Sequence, residues 1–169
     1  KLIAKIVASN GKILIVSTDS SSSSIVRKVG QLSSQPFIDA KWINGLLTNW
    51  KQIIPSKQNN LFKSRRKSDS TSFLAELPAA LIVINPNENA DAIREARKLN
   101  IPVISFLNTK KKSNLRSEIN INQMDYVIPS SGSSTQTVYF FFDLFLRIIR
   151  KDSYFIKLGQ KSYQYNYKQ

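Results

Sequence analysis

Four short apolar runs without polar alternation constrain this chain more than any other feature. They are KILIV at 12–16, LIVI at 81–84, VISFL at 103–107 and YVI at 126–128. A strand with one wet face alternates apolar and polar residues, whereas a run apolar on both sides belongs to a sheet covered on both faces, the setting of parallel strands. Asn, Pro or Ser ends each run, residues that punctuate strands. Between the runs the apolar spacing changes to that of helices. Leu2, Ile3, Ile6 and Val7 share a helical face that stops at Asn10-Gly11, residues that tolerate the left-handed conformation of a helix end. Ile25, Val29 and Leu32 define a second helix capped by one of the preceding serines, and Phe37-Ile38 begins a short strand behind it. Asn89 can cap a helix with Ala92, Ala96 and Leu99 inward. Ser133 or Ser134 can cap a final helix built on Val138, Phe141, Phe145 and Ile148.

Strand and helix therefore alternate with short connections, a pattern that leaves few topologies. The fold class expected is α/β: a three-layer, doubly wound, flavodoxin- or Rossmann-like, mostly parallel sheet with helices on both faces. A chain of 169 residues, 41% of them hydrophobic, is the size of one such domain. We expect it to occupy 1–150, with a basic insertion at 51–76 and a basic aromatic extension at 151–169. The chain opens at Lys1 inside a helix, with neither Met nor a signal-peptide pattern, and from this we expect a preceding N-terminal part. The most apolar stretch, Val138 to Ile149, is interrupted by Asp143 and Arg147 and is too short for a bilayer, so no membrane association is expected.

The residues for catalysis are scarce. The chain has no Cys and no His, which removes thiol nucleophiles, imidazole acid–base chemistry, disulfides and ordinary zinc sites. The loop after the first strand reads STDSSSSS, and neither GxGxxG nor GxxxxGKS occurs, so no backbone cradle for a pyrophosphate is evident. Ser20 to Ser23 could hold a phosphate weakly, but helix initiation accounts for them better. Asp19, Asp39, Asp91 and Asp125 lie whole structural units apart. We expect no enzyme, no cofactor and no metal; the alternative is a nucleotide- or ligand-binding domain using the C-terminal edge of the sheet.

A formal charge of +14 calls for a polyanionic partner, and its distribution sharpens the point. Segments 51–70, 108–118 and 150–169 hold twelve of the fourteen net charges. The candidate RNA-binding residues are Lys57, Lys63, Arg65, Arg66 and Lys67 in the insertion, Lys110, Lys111 and Lys112 in a loop, and Lys157 and Lys161 in the tail. A single lysine run is ordinarily a solvated surface; three basic segments favour a shared function. Tyr154, Phe155, Tyr163, Tyr165 and Tyr167 interleave with the tail lysines, a pattern equally suited to stacking on bases and to packing on a protein.

FIDAKWINGLLTNWKQI, at 37–53, carries a more specific signal. It resembles the tryptophan-rich signature of the ribosomal protein S2 family, close to RWLGGMLTNW, with Lys41 in place of Arg and Asn44 in place of the first glycine. Lys41, Trp42, Gly45, Leu47, Thr48, Asn49 and Trp50 are the residues of that resemblance. Read without it, Trp42, Leu46 and Trp50 form a helical stripe suited to core or docking. The later segments LPAALIVINPNENADAIREARKLNIPVISFLNT and DYVIPSSGSS keep the family's order. The resemblance implies a structural constituent of the small ribosomal subunit, contacting small-subunit rRNA and other small-subunit ribosomal proteins, neither catalytic nor a homo-oligomer. The family's long helical hairpin after the tryptophan motif is replaced here by a shorter segment containing Pro55. The abundance of Asn, Lys, Ile, Ser and Tyr points to an A+T-rich genome and an organellar ribosome, mitochondrial ahead of plastid, with a bacterial ribosome as the alternative that shares this bias.

Overall fold

The computed structural model describes residues 1–53, 76–108, 123–130 and 136–150. Five strands, β1 (Ile13–Val16), β2 (Phe37–Ile38), β3 (Ala80–Val83), β4 (Val103–Asn108) and β5 (Tyr126–Ser130), form one sheet in the order β2-β1-β3-β4-β5. Every pairing is parallel, with Ile13 opposite Ala80, Leu81 opposite Val103 and Ile104 opposite Tyr126. This is the flavodoxin-like order, whose connections reverse direction between β1 and β3. The helices that pack on this sheet are α1 (Leu2–Ala8), α2 (Ser20–Ser33), α3 (Ala90–Lys98) and α4, covering 136–150, and residues 50–53 are also helical.

Side-chain alternation divides each strand between two cores. Ile13, Ile15, Ala80, Ile82, Ile104 and Phe106 meet α1, α2 and α4 through Ile6, Val7, Ile25, Val26, Val29, Val138, Phe142, Phe145 and Ile149. Leu14, Val16, Leu81, Val83 and Val103 face the opposite way, against Ala92, Ile93 and Ala96 of α3 and against Trp42, Leu46 and Leu47. β1 and β3 are fully buried at all four positions, which explains why their sequences carry no polar alternation. The three-layer, doubly wound fold expected from the strand pattern is thus present.

Local chemistry sets the helix ends. Asn10 (φ 58°), Ser34 (φ 54°) and Asn100 (φ 55°) are left-handed just after α1, α2 and α3. The amide of the residue following each reaches back to the last turn: Gly11 to the Ile6 carbonyl, Gln35 to Gly30 and Ile101 to Ala96, the bond of a Schellman closure. Gly30 has a packing role, since a Cβ there would lie 2.2 Å from Cδ1 of Phe37. Helical phase differs from expectation in three places. Leu32 of α2 is exposed and Val26 takes the inward position; Leu99 is exposed and Ile93 is buried; Phe142 and Ile149, rather than Phe141 and Ile148, reach the deepest layer of α4. Ile25, Val29, Ala92, Ala96, Val138 and Phe145 are buried as expected, so the departures are confined to the edge of each inward face and, at Leu99, to the residue that ends the helix.

Candidate functional site

The tryptophan segment is not the helix that its i, i+4, i+8 spacing suggests. Residues 44–49 form consecutive turns, and helical structure begins only at 50–53. Gly45 causes the departure, with φ of +84°, a value that favours glycine. Asn44, at the family's other glycine position, is not among the residues of positive φ, so glycine is not required there.

What holds these turns is a carboxylate from another element. Glu95 of α3 is only 7% exposed. Its Oε1 accepts from the Trp42 indole Nε1 at 3.0 Å and from the Gly45 amide at 2.6 Å. Its Oε2 accepts from the amides of Leu47 at 2.9 Å and Thr48 at 3.2 Å, with the Thr48 hydroxyl at 3.4 Å. Burial works to raise the Glu95 pKa, but the indole and the Leu47, Gly45 and Thr48 amides outweigh it and hold the carboxyl below its ordinary range. The loop is thereby curled around one charged acceptor, with Trp42, Leu46 and Leu47 inserted into the core and Lys41, Asn44, Thr48 and Asn49 exposed. Trp50 is half-buried.

The C-terminal edge of the sheet is built differently. Where β1 and β3 end, Asn85 Nδ2 donates to Asp19 at 3.0 Å, Thr18 Oγ1 to Glu88 at 3.1 Å, and Asn89 Nδ2 to the Ile84 and Asn85 carbonyls at 3.0 Å each. The Ser22 and Ser23 amides in the first turn of α2 donate to the Asp19 carbonyl. Two carboxylates, Asp19 and Glu88, therefore stand at the switch point, each accepting a hydrogen bond, so the charged side chains there repel rather than attract an anion. Asn89 stands at the N-cap of α3 but ties the chain back to β3 instead of capping the helix. Among the described residues no group of three His, Cys, Asp or Glu side chains could hold a metal, and no helix is long and apolar enough to cross a membrane.

Comparison with known proteins places both halves of this arrangement in one lineage. The model of the family described as ribosomal protein S2 matches residues 1–73 and 56–151, a span that includes the tryptophan loop, α3 and every strand. The chain belongs to the ribosomal protein S2 family. It is 28% identical over 172 residues to "Small ribosomal subunit protein uS2" of Brucella ovis, covering 87% of this chain and 65% of that protein. It is likewise 28% identical over 170 residues to "Small ribosomal subunit protein uS2m" of Marchantia polymorpha, covering 88% and 70%. The chain thus spans just under two thirds of the length of its Brucella relative.

Within this S2-family fold, the signature residues Lys41, Trp42, Gly45, Leu47, Thr48, Asn49 and Trp50 come together in the Glu95-centred loop. The candidate RNA-binding residues Lys57, Lys63, Arg65, Arg66, Lys67, Lys110, Lys111, Lys112, Lys157 and Lys161 lie outside the described residues. Sequence reasoning weighs four aspartates and passes over Glu95, although a signal exists. Glu95 lies three residues after Ala92 and next to Ala96, on the inward face of α3. A charged residue in that phase must find donors, and the tryptophan signature supplies an indole and a run of turn amides.

Proposed function

We propose that this chain is a structural, non-enzymatic constituent of the small ribosomal subunit, binding small-subunit rRNA and neighbouring ribosomal proteins, one copy per subunit. The observation that carries the reading is the family match from the first helix through the last, reinforced by relatives named as small ribosomal subunit proteins. Charge supports it physically. The described residues hold twelve Lys/Arg and eight Asp/Glu, a net of +4, so +10 of the formal +14 lies in the remaining segments, the distribution of a compact domain with cationic appendages. We read 1–150 as one domain, with 51–76 a basic insertion and 151–169 an extension. An organellar, mitochondrial ribosome is the favoured setting, supported by the A+T-type composition and by the similarity to the uS2m relative.

Sucrose-gradient fractionation of the source lysate at two salt concentrations tests this. The chain should migrate with small subunits through moderate salt. Migration as a free species of 19.2 kDa at both salts would overturn the reading.

A further inference from the structure

Burying a carboxylate is costly, and a core that needed only apolar filling would not use one. Glu95 nevertheless turns both carboxylate oxygens to residues 42–48, a surface turn whose apolar anchors, Trp42, Leu46 and Leu47, already dock it. What the carboxylate adds is a fixed backbone course. The exposed polar positions along that course include Lys41, Asn44, Thr48, Asn49 and Lys51: two cations, two amides and a hydroxyl. No acidic side chain occurs from Ala40 to Ile53. Lysine, asparagine and threonine are the types that contact phosphate and sugar oxygens, whereas an acidic rim would be expected for docking against a basic neighbouring protein; Ile43 is also exposed on this rim, between Lys41 and Asn44.

We infer that the outward side of the 41–51 loop is a contact surface for the sugar–phosphate backbone of RNA, and that Glu95 is its positioning residue. The inference rests on the ribosomal reading and deepens it, assigning RNA contact to a folded part of the domain that ends at Lys51, the first residue of the basic insertion. Recognition there is of backbone and shape, because the rim presents cations and short polar groups rather than stacked aromatic platforms. Glu95 acts at one remove: its five donors set the spacing of Lys41, Asn44 and Asn49.

The test uses the full chain and a transcript of the source organism's small-subunit rRNA, with affinity measured at several salt concentrations. The double variant Lys41→Glu and Lys51→Glu should bind at least tenfold more weakly, and its dependence of log K on log salt should be shallower by about two, roughly one for each phosphate no longer engaged. Glu95→Gln keeps every cation, yet should lose affinity and flatten the slope in its folded fraction, a change that a purely stabilising role would not produce. Ultraviolet crosslinking of isolated small subunits should leave nucleotide adducts on the Lys41–Lys51 peptide. Wild-type affinity and slope in the lysine double variant would overturn the inference, as would Lys41 and Lys51 crosslinking only to another protein. If the wild-type chain is on small subunits and these results fail, this inference alone falls; if the chain is absent from them, the functional reading falls with it.

Discussion

At the residue scale the molecule turns on Glu95. Its carboxylate accepts from an indole, three backbone amides and a hydroxyl, so replacing it with glutamine turns one acceptor oxygen into a donor facing donors. Bonds to a charged acceptor contribute roughly 1.5–3 kcal/mol each and are not additive, so Glu95→Gln should lower unfolding free energy by about 2–4 kcal/mol at neutral pH. Urea denaturation of the purified chain measures it. The pH dependence has a definite sign. The folded-state pKa lies below the ordinary 4.5, so the unfolded chain binds the proton first. The stability from Glu95 is complete above that ordinary value and is withdrawn as pH falls through the lowered one. The gap between wild type and Glu95→Gln should therefore narrow in acid; a gap constant across that range would contradict the ionised latch.

At the scale of elements, close packing decides which positions tolerate change. Gly30 of α2 faces Phe37 of β2 so tightly that an added methyl group would sit 2.2 Å from the ring. Relief requires moving either the ring or the helix, and overpacking of this kind costs about 1–3 kcal/mol, so Gly30→Ala should destabilise although alanine is the better helix former. In α4 the opposite change is informative. Phe142 and Phe145 are each 1% exposed, with ring centroids 5.9 Å apart, and Phe106 of β4 meets Phe141 edge to face at 5.0 Å. Phe142→Ala would open a cavity in this cluster and lower stability by roughly 3–5 kcal/mol in the same denaturation experiment. The existence and type of these elements were legible because β1 and β3 are apolar on both faces and β4 is interrupted only by Ser105 before its terminal Asn108, a property written directly in residue order. Less legible were the edges of the inward faces of α2, α3 and α4, where Leu32, Leu99 and Phe141 give way to Val26, Ile93 and Phe142, and the form of the tryptophan loop. That loop depends on a partner about fifty residues away and on a left-handed Gly45, so its local spacing mimics a helix that the fold does not make.

At the scale of the whole molecule, two sets of cations with similar sequence appearance should behave differently. Arg97 and Lys98 lie in the last turn of α3, where positive charge is favourable against the helix dipole, and Arg94 is within ion-pair distance of Asp91 one turn earlier, at 2.5 Å. Their presence is explained within the domain. Arg65, Arg66 and Lys67 belong to a segment that carries much of the net charge. Reversing each set to glutamate changes the formal charge by the same amount, so any difference between the variants reflects location rather than net charge. The α3 variant should lose thermal stability, on the order of 1 kcal/mol from the dipole and the exposed ion pair together, yet still sediment with small subunits. The 65–67 variant should melt as wild type does and be depleted from small subunits, increasingly so as salt is raised, because cations that meet phosphates act through counterion release. Gradient occupancy and melting temperature together separate the two, and equal depletion of both variants would refute the assignment of RNA contact to the insertion.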